Sequence, residues 1–221
     1  MPGTLALVGG GEFSEGCSFD AALVDASDAG EVLVVPTGAA YEHPQRLVEK
    51  AMGWFDRMGI TARGLDVLTR TDALHDTNVA ALRASTFTYL VGGSPMHLWS
   101  VLKDTPAWEA LGEAWDQGGV LAGSSAGAMV LCDPMVDPRG GAFTLGLGLL
   151  SALAVIPAHD RWSQDQAHRT RKMSPPDLVL AGIDERTALI RAPDGSWRTE
   201  GAGEVVVFRG GEPADLSALP A

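Results

Sequence analysis

The chain has 221 residues, 46% of them hydrophobic, and a formal net charge of −12. This length suits one α/β domain with a sizeable core. Proteins that bind nucleic acid usually present a basic surface to the phosphate backbone, and the net negative charge of this chain argues against such a partner. No window approaches the roughly 20 apolar residues of a membrane span, and the N-terminus lacks a signal-peptide pattern. We therefore expect a cytoplasmic protein with no membrane partner.

Strand-like and helix-like segments alternate through the first 132 residues. The pattern predicts strands at 4–10, 31–38, 62–68, 86–93 and 119–125, and helices at 44–59, 78–84, 95–103 and 106–118. Such alternation is typical of a parallel sheet with helices on both faces. After a Gly- and Pro-rich stretch at 133–150 the pattern becomes strand-rich, with predicted strands at 152–159, 177–184, 187–192, 196–201 and 204–211 and a polar, helix-like segment at 163–173.

Four of the predicted strands have glycine-rich ends, at 9–11, 38, 92–93 and 123–127. Ligands of open parallel sheets bind beyond the carboxyl ends of the strands. We therefore expect these four glycine-rich segments to converge on one functional site.

The segment "GSSAG" at 123–127 matches the pattern G-x-S-x-G between an apolar strand and a helix. In a sharp strand-to-helix turn of this kind, the central serine is strained and its hydroxyl exposed, so neighbouring side chains must be small. The start of the following helix directs backbone N–H groups at the site. Ser125 is the predicted nucleophile, and the N–H of Ala126 is a predicted oxyanion donor.

A serine hydroxyl needs a general base, and the base needs an orienting acid. Among the five histidines, His159 is the first candidate for the base, because it ends a predicted strand at the sheet edge where the turn at 123–127, here called the elbow, should lie. His97 is the second candidate. Asp184 and Glu185 follow another predicted strand. Either carboxylate could orient the imidazole.

With these residues in place, the sequence resembles the cyanophycinase and peptidase E family of serine peptidases. The resemblance covers nearly the whole chain, through "LVGGGE" (7–12), "VPTGAA" (35–40), "YLVGGSP" (89–95), "AGSSAGAMVL" (122–131), "GLGLL" (146–150), "PAHDRW" (157–162) and "GIDERTALI" (182–190). It implies a class I glutamine amidotransferase-like fold, a three-layer sandwich whose mostly parallel sheet has helices on both faces. Residues 1–221 would form a single serine-peptidase domain, and the resemblance also implies a homodimer.

Carried over by position, the resemblance implies a triad of Ser125, His159 and Glu185, with Asp184 as the second choice of acid. It places the remaining oxyanion donor in the glycine pair Gly92–Gly93. It implies no cofactor and no metal, and Cys17 and Cys132 fit no zinc-binding spacing.

Two departures from the family pattern bear on the substrate. Ser94 and Pro95 follow the glycine pair where cyanophycinases commonly carry an acidic residue or Asn and then Gln, and Asp160 follows the histidine where the family often has Phe. These departures make a small peptide or isopeptide a better expectation than cyanophycin, and the resemblance to peptidase E favours an acidic N-terminal residue in it. Ser94, Asp160 and Arg161 are candidate substrate-binding residues. Candidate carboxylate anchors are Arg161, Arg169 and Arg171.

The sequence is also compatible with other functions. An esterase would use the chain order Ser125, Asp137, His159. A glutaminase would need a cysteine in the elbow, and Cys132 lies seven residues beyond Ser125. A pseudoenzyme or peptide-binding module of the same fold is the non-enzymatic alternative. A dinucleotide fingerprint fails because its third glycine position is occupied by Ser14.

Overall fold

The computed structural model describes residues 1–220, and its elements alternate between strand and helix up to residue 131. The strands are β1 (Leu5–Val8), β2 (Glu31–Val35), β3 (Thr61–Gly64), β4 (Phe87–Leu90), β5 (Val120–Ser124), β6 (Cys132–Asp133), β7 (Met135–Val136), β8 (Phe143–Thr144), β9 (Leu150–Ser151), β10 (Leu153–Pro157), β11 (Val179–Ile183), β12 (Thr187–Arg191), β13 (Trp197–Gly201), β14 (Val205–Arg209) and β15 (Glu212–Ala214). The helices are α1 (Phe19–Ser27), α2 (Pro44–Asp56), α3 (Arg70–Ala73), α4 (Asp76–Arg83), α5 (Pro95–Leu102), α6 (Pro106–Asp116), α7 (Ala126–Leu131) and α8 (Gln164–Lys172).

A seven-stranded sheet of order β13-β12-β1-β5-β4-β2-β3 forms the centre of the molecule. The five strands from β1 to β3 in this order run parallel, and β12 joins β1 in antiparallel register. A second sheet of order β10-β11-β14-β15 is built from the C-terminal half. The predicted mostly parallel sheet and strand-rich C-terminal end are therefore confirmed.

The central strands are buried on both faces. Along β1, Leu5 and Leu7 enter one hydrophobic cluster while Ala6 and Val8 enter another. Buried residues of α1 and α2 belong to the second cluster, and those of α3 to α7 belong to the first. Since successive side chains of a strand point to opposite faces, this division places helices on both sides of the sheet, as expected for three layers.

The structure adds elements that the sequence pattern did not predict. Helix α1 begins at Phe19, and only Phe19 and Leu23 of its apolar face are fully buried, which is too short a repeat to stand out in the sequence. Strand β3 ends at Gly64, earlier than predicted, and the loop-like stretch 133–150 contains two two-residue strands, β7 and β8, and part of two more, β6 and β9. Among the helices of residues 1–220, none has both the length and the apolar character needed to cross a membrane.

Candidate active site

Ser125 occupies the turn between β5 and α7 with φ +48° and ψ −106°, a backbone conformation that L-residues rarely adopt. Its N–H donates to the Val8 carbonyl at 2.8 Å, which fixes the turn against the end of β1. A Cβ at Gly123 would lie 2.6 Å from the Gly127 carbonyl carbon, and one at Gly127 would lie 2.5 Å from the Leu90 oxygen. Larger side chains are excluded at both positions, so the elbow needs its glycines.

The glycine-rich strand ends converge on this turn, as the sequence predicted. A Cβ at Gly10 would lie 3.8 Å from the Cβ of Ser125, and one at Gly92 would lie 3.3 Å from it. A Cβ at Gly93 would lie 2.2 Å from the carbonyl oxygen of Gly38. Three other segments therefore meet around the elbow.

Two backbone N–H groups near Ser125 remain available for an oxyanion. Ala126 is the first residue of α7, so no carbonyl of that helix accepts its N–H. Gly93, with φ +125°, lines the same cavity as Ser125, and its N–H has no backbone acceptor within residues 1–220. The N–H of Gly92 instead donates to Glu12 Oε1 at 3.1 Å. Of the expected donors, Gly92 is therefore engaged elsewhere, because its single N–H is already bonded.

His159 begins a short 3₁₀ turn, His159–Arg161, directly after β10. The preceding residue, Ala158, donates its N–H to the Gly9 carbonyl at 2.7 Å, one residue beyond the β1 position that holds Ser125. The imidazole packs against Gly182 of β11, where a Cβ would lie only 2.5 Å from Cδ2. The end of β1 thus brings the serine and histidine segments to adjacent attachment points.

No hydrogen bond joins the Ser125 hydroxyl to His159 within residues 1–220. Ser125 lines the cavity, and the side chain of His159 is 24% exposed. Catalytic hydrogen bonds of unliganded enzymes are often long and tighten only when substrate binds. Among residues 1–220, Pro157 and Ala158 line the cavity but His159 does not, so the imidazole has no preformed contact with the Ser125 hydroxyl.

The two candidate acids occupy different environments. Asp184 Oδ1 lies 3.9 Å from His159 Nδ1, and Asp184 Oδ2 accepts the N–H of Glu204 at 2.9 Å. Glu185 Oε2 accepts from Arg161 Nη2 at 3.0 Å instead. The structure thus places Asp184, the second choice of acid, beside the imidazole, and pairs Glu185 with a surface arginine.

The three residues expected to bind substrate have other partners. The Ser94 hydroxyl caps α5 by accepting the N–H of His97, Asp160 Oδ1 accepts the Glu185 N–H at 3.0 Å, and the 68% exposed side chain of Arg161 pairs with Glu185. None of the three lines the cavity at Ser125. Arg171 also lies outside it, where its guanidinium stacks on the ring of Phe208.

A cavity of about 370 Å³ opens over Ser125. Its polar lining includes Arg139, Gln166 and Arg169, and Trp162 supplies an aromatic wall. Arg169 was a sequence candidate, but Arg139, Gln166 and Trp162 were not. The only sequence signal for Arg139 is its place in "DPRGG" between two short strands, because a loop residue carries no periodicity.

Asp137 and Cys132, the residues on which the esterase and glutaminase alternatives depend, lie in environments that do not suit those roles. Asp137 accepts hydrogen bonds from the side chain and the backbone N–H of Arg139, with Arg139 Nη2 at 2.7 Å. These hydrogen bonds lower the pKa of the Asp137 carboxyl to about 2. Cys132 is fully buried, and burial raises the pKa of its thiol well above the usual range. The pairing of Asp137 with Arg139 and the burial of Cys132 do not favour the esterase order or a cysteine nucleophile.

Solved structures share this architecture. A peptidase from an acI-B1 Actinobacterium superposes with a TM-score of 0.86 and 32% identity, covering 95% of this chain and 92% of that chain. A protein from Listeria monocytogenes EGD-e, described as a candidate peptidase E, superposes with a TM-score of 0.64 over 95% of this chain and 99% of that chain. The latter is 18% identical, so it shows the fold alone.

Curated relatives and a family model agree with the structural comparison. A cyanophycinase from Synechococcus elongatus is 29% identical over 175 residues, which cover 72% of this chain and 52% of the relative. One from a Nostoc species is 28% identical over 201 residues, or 84% of this chain and 64% of the relative. The chain thus matches between about half and two thirds of the length of these cyanophycinases. The model of peptidase family S51 matches residues 5–195, and the chain belongs to this family.

Proposed function

We propose that this protein is a serine peptidase that hydrolyses small peptides or isopeptides with an acidic group. The observation that carries the proposal is the strained elbow: Ser125 lines the cavity, and within residues 1–220 the N–H groups of Gly93 and Ala126 have no backbone acceptor. Such a combination suits attack on a carbonyl carbon and stabilisation of the resulting oxyanion.

In the proposed mechanism, His159 accepts the proton of the Ser125 hydroxyl as its oxygen attacks the peptide carbonyl. The oxyanion binds the N–H groups of Gly93 and Ala126. His159 then protonates the departing amine, and an acyl ester remains on the serine. A water molecule, deprotonated by the same imidazole, releases the acid product and restores the hydroxyl.

Asp184 is the acid that we propose for orienting His159, in preference to Glu185. An acid in this position holds the tautomer of the base and stabilises the imidazolium that forms. Support comes from the 3.9 Å separation of Asp184 Oδ1 and His159 Nδ1, and from the bond that the Asp184 carboxylate accepts from Glu204. Glu185, whose carboxylate pairs with Arg161 at 3.0 Å, is the second candidate.

The proposed preference for an acidic substrate rests on the cations of the cavity wall. Arg169 lines the cavity and forms no salt bridge within residues 1–220, so its guanidinium is available to a carboxylate. Arg139 lines the same cavity, but its guanidinium pairs with Asp137 at 2.7 Å. Guanidinium groups bind carboxylates in a bidentate geometry. A cavity of about 370 Å³ is at the small end of ligand sites, which favours short peptides.

The test compares the wild type with Ser125→Ala, using Ser151→Ala as the matched control. Ser151 is exposed on β9, far along the chain from the elbow. A panel of acidic, neutral and basic dipeptides, β-linked isopeptides and cyanophycin serves as substrate, and a fluorophosphonate probe reports the activated serine. We expect hydrolysis of acidic members and labelling of the wild type and of Ser151→Ala only. Labelling or turnover by Ser125→Ala would refute the mechanism, and peptide binding without turnover by the wild type would indicate a pseudoenzyme.

A further inference from the structure

Glu12 is a buried carboxylate next to the nucleophile that the mechanism above does not use. It directly follows the glycine turn after β1, and the residue is only 7% exposed. A carboxylate is costly to bury unless hydrogen bonds satisfy its oxygens. Each oxygen of Glu12 has such a partner, and the two partners come from different strand ends.

The first partner is Gly92, in the glycine pair after β4, and the second is Ser124, in the elbow. Glu12 Oε1 accepts the Gly92 N–H at 3.1 Å, and Oε2 accepts from the Ser124 hydroxyl at 2.8 Å. A Cβ at Gly92 would lie 3.3 Å both from Glu12 Oε1 and from the Cβ of Ser125. One side chain therefore joins the end of β4 to the end of β5 at the point where they flank the nucleophile.

This bridge bears on the donor that the reaction needs. The Gly92–Gly93 peptide carries the N–H proposed to bind the oxyanion, and Gly93 has φ +125°, in a region where glycine rotates at little cost. A donor contributes to catalysis only if it already points to the place where the charge develops. The hydrogen bond from the Gly92 N–H to Glu12 restrains the segment on one side of this peptide, so the Gly93 N–H has fewer orientations available.

We propose that Glu12 is a positioning residue, whose two hydrogen bonds hold the Gly92–Gly93 segment against the elbow so that the Gly93 N–H faces the oxyanion. The inference deepens the proposed function and rests on it. Glu12 does not contact the reacting atoms, and its main chain is anchored separately, since Lys50 Nζ donates to its carbonyl at 2.7 Å. Changes to the carboxylate therefore leave one anchor of this turn in place.

The decisive variants are Glu12→Ala and Glu12→Gln. Alanine removes both bonds, while the glutamine carbonyl can accept from Gly92 and its amide can donate to the Ser124 hydroxyl, which rotates to accept. We expect Glu12→Ala to lower kcat by about 30-fold or more with KM within about threefold, because a lost oxyanion donor costs about 10²–10³ in rate. We expect Glu12→Gln to restore kcat to within about fivefold of the wild type. Glu15→Gln, an exposed carboxylate in the same turn, is the matched control.

A purely structural role gives a different pattern, because it lowers the melting temperature without affecting kcat well below that temperature. A folded Glu12→Ala protein with wild-type kcat overturns the proposal, and so do equal losses of kcat in the alanine and glutamine variants. If Glu12→Ala does not fold, Ser124→Ala decides: it breaks one of the two bonds, and an unchanged kcat in this variant overturns the proposal.

A second readout separates this inference from the proposed function. The ¹⁵N-glycine NMR spectrum of the Ser125→Ala protein reports the Gly92 amide directly, and this measurement does not depend on activity. We expect the proton resonance of this amide to move upfield in Glu12→Ala and to remain near its original position in Glu15→Gln. If the wild type hydrolyses nothing but the Gly92 resonance still moves in Glu12→Ala, the peptidase proposal is refuted and the two hydrogen bonds of Glu12 are supported. An unmoved Gly92 resonance would refute the bridge alone.

Discussion

The carboxylate of Asp184 lies 3.9 Å from Nδ1 of His159. The neighbouring carboxylate in the sequence, Glu185, turns to Arg161 at 3.0 Å. Both residues lie in the turn between β11 and β12, and the turn directs the two carboxylates to different partners. The family resemblance favoured Glu185, whereas the geometry favours Asp184.

Separate replacement of the two acids tests this relationship. We expect Asp184→Asn to lower kcat/KM by at least about 100-fold, because an amide presents the wrong hydrogen-bonding partner to the imidazole. We expect Glu185→Gln to cost less than about fivefold, since Glu185 pairs with an exposed arginine. Steady-state kinetics on an acidic dipeptide measure both variants. The opposite ranking would assign the acid to Glu185, and Asp137→Asn, expected to be neutral, controls for the esterase order.

Arg169 is expected to set the preference for acidic substrates. Arg169→Met keeps much of the side-chain volume and removes the charge, so we expect KM for an acidic dipeptide to rise by about tenfold with kcat within about threefold. The KM of a neutral dipeptide should stay nearly constant. Arg171→Met is the matched control, because that guanidinium stacks on Phe208 outside the cavity. An equal rise in KM for acidic and neutral peptides would contradict a carboxylate anchor at this position.

Ser94 is expected to act as a helix cap and not as a substrate ligand. Its hydroxyl accepts the N–H of His97 at the start of α5. We expect Ser94→Ala to lower the free energy of unfolding by about 1 kcal/mol, the usual cost of a lost N-cap, and to leave kcat/KM within about twofold. Thr105→Ala removes the corresponding cap of α6 and should cost a similar amount. A large loss of kcat/KM without loss of stability would restore Ser94 as a substrate-binding residue.

Asp20 is expected to make stability depend on pH. Burial raises the pKa of its carboxyl from 3.8 to about 7, although the bond from Trp54 Nε1 acts in the opposite direction. Between about pH 4 and pH 7 the native protein therefore retains a proton that the unfolded chain has released, so this group destabilises the fold increasingly as pH rises. The contribution lost between pH 5 and pH 8 is about 3 kcal/mol.

The variant Asp20→Asn keeps an acceptor for Trp54 and removes this titration. We expect its free energy of unfolding, measured by chemical denaturation, to exceed that of the wild type by a margin that grows from pH 5 to pH 8. Asp25→Asn, in the same helix but exposed, is the control. Parallel pH profiles for Asp20→Asn and the wild type would show that the buried carboxyl is not the titrating group.

The alternation of strands and helices could be predicted because each central strand forms a short apolar run and each longer helix has apolar residues at helical spacing. The prediction failed where the local signal is weak. Helix α1 has only two fully buried apolar residues, Phe19 and Leu23, and its third buried side chain of any size is the carboxylate of Asp20. A helix of this kind is specified by the sheet against which it packs, and hardly by its own periodicity.

The sequence by itself determined the elbow, since the strained turn at Ser125 tolerates only small neighbours and this requirement is visible within five consecutive residues. The tertiary structure alone decided which carboxylate lies beside His159, which N–H groups remain available around the elbow, and that Arg139 and Trp162 line the cavity with Arg169. It also brought Glu12 to Gly92, 80 residues away along the chain. The physical reason is that backbone strain is a local property, whereas a hydrogen bond or an ion pair depends on the separation of groups in space.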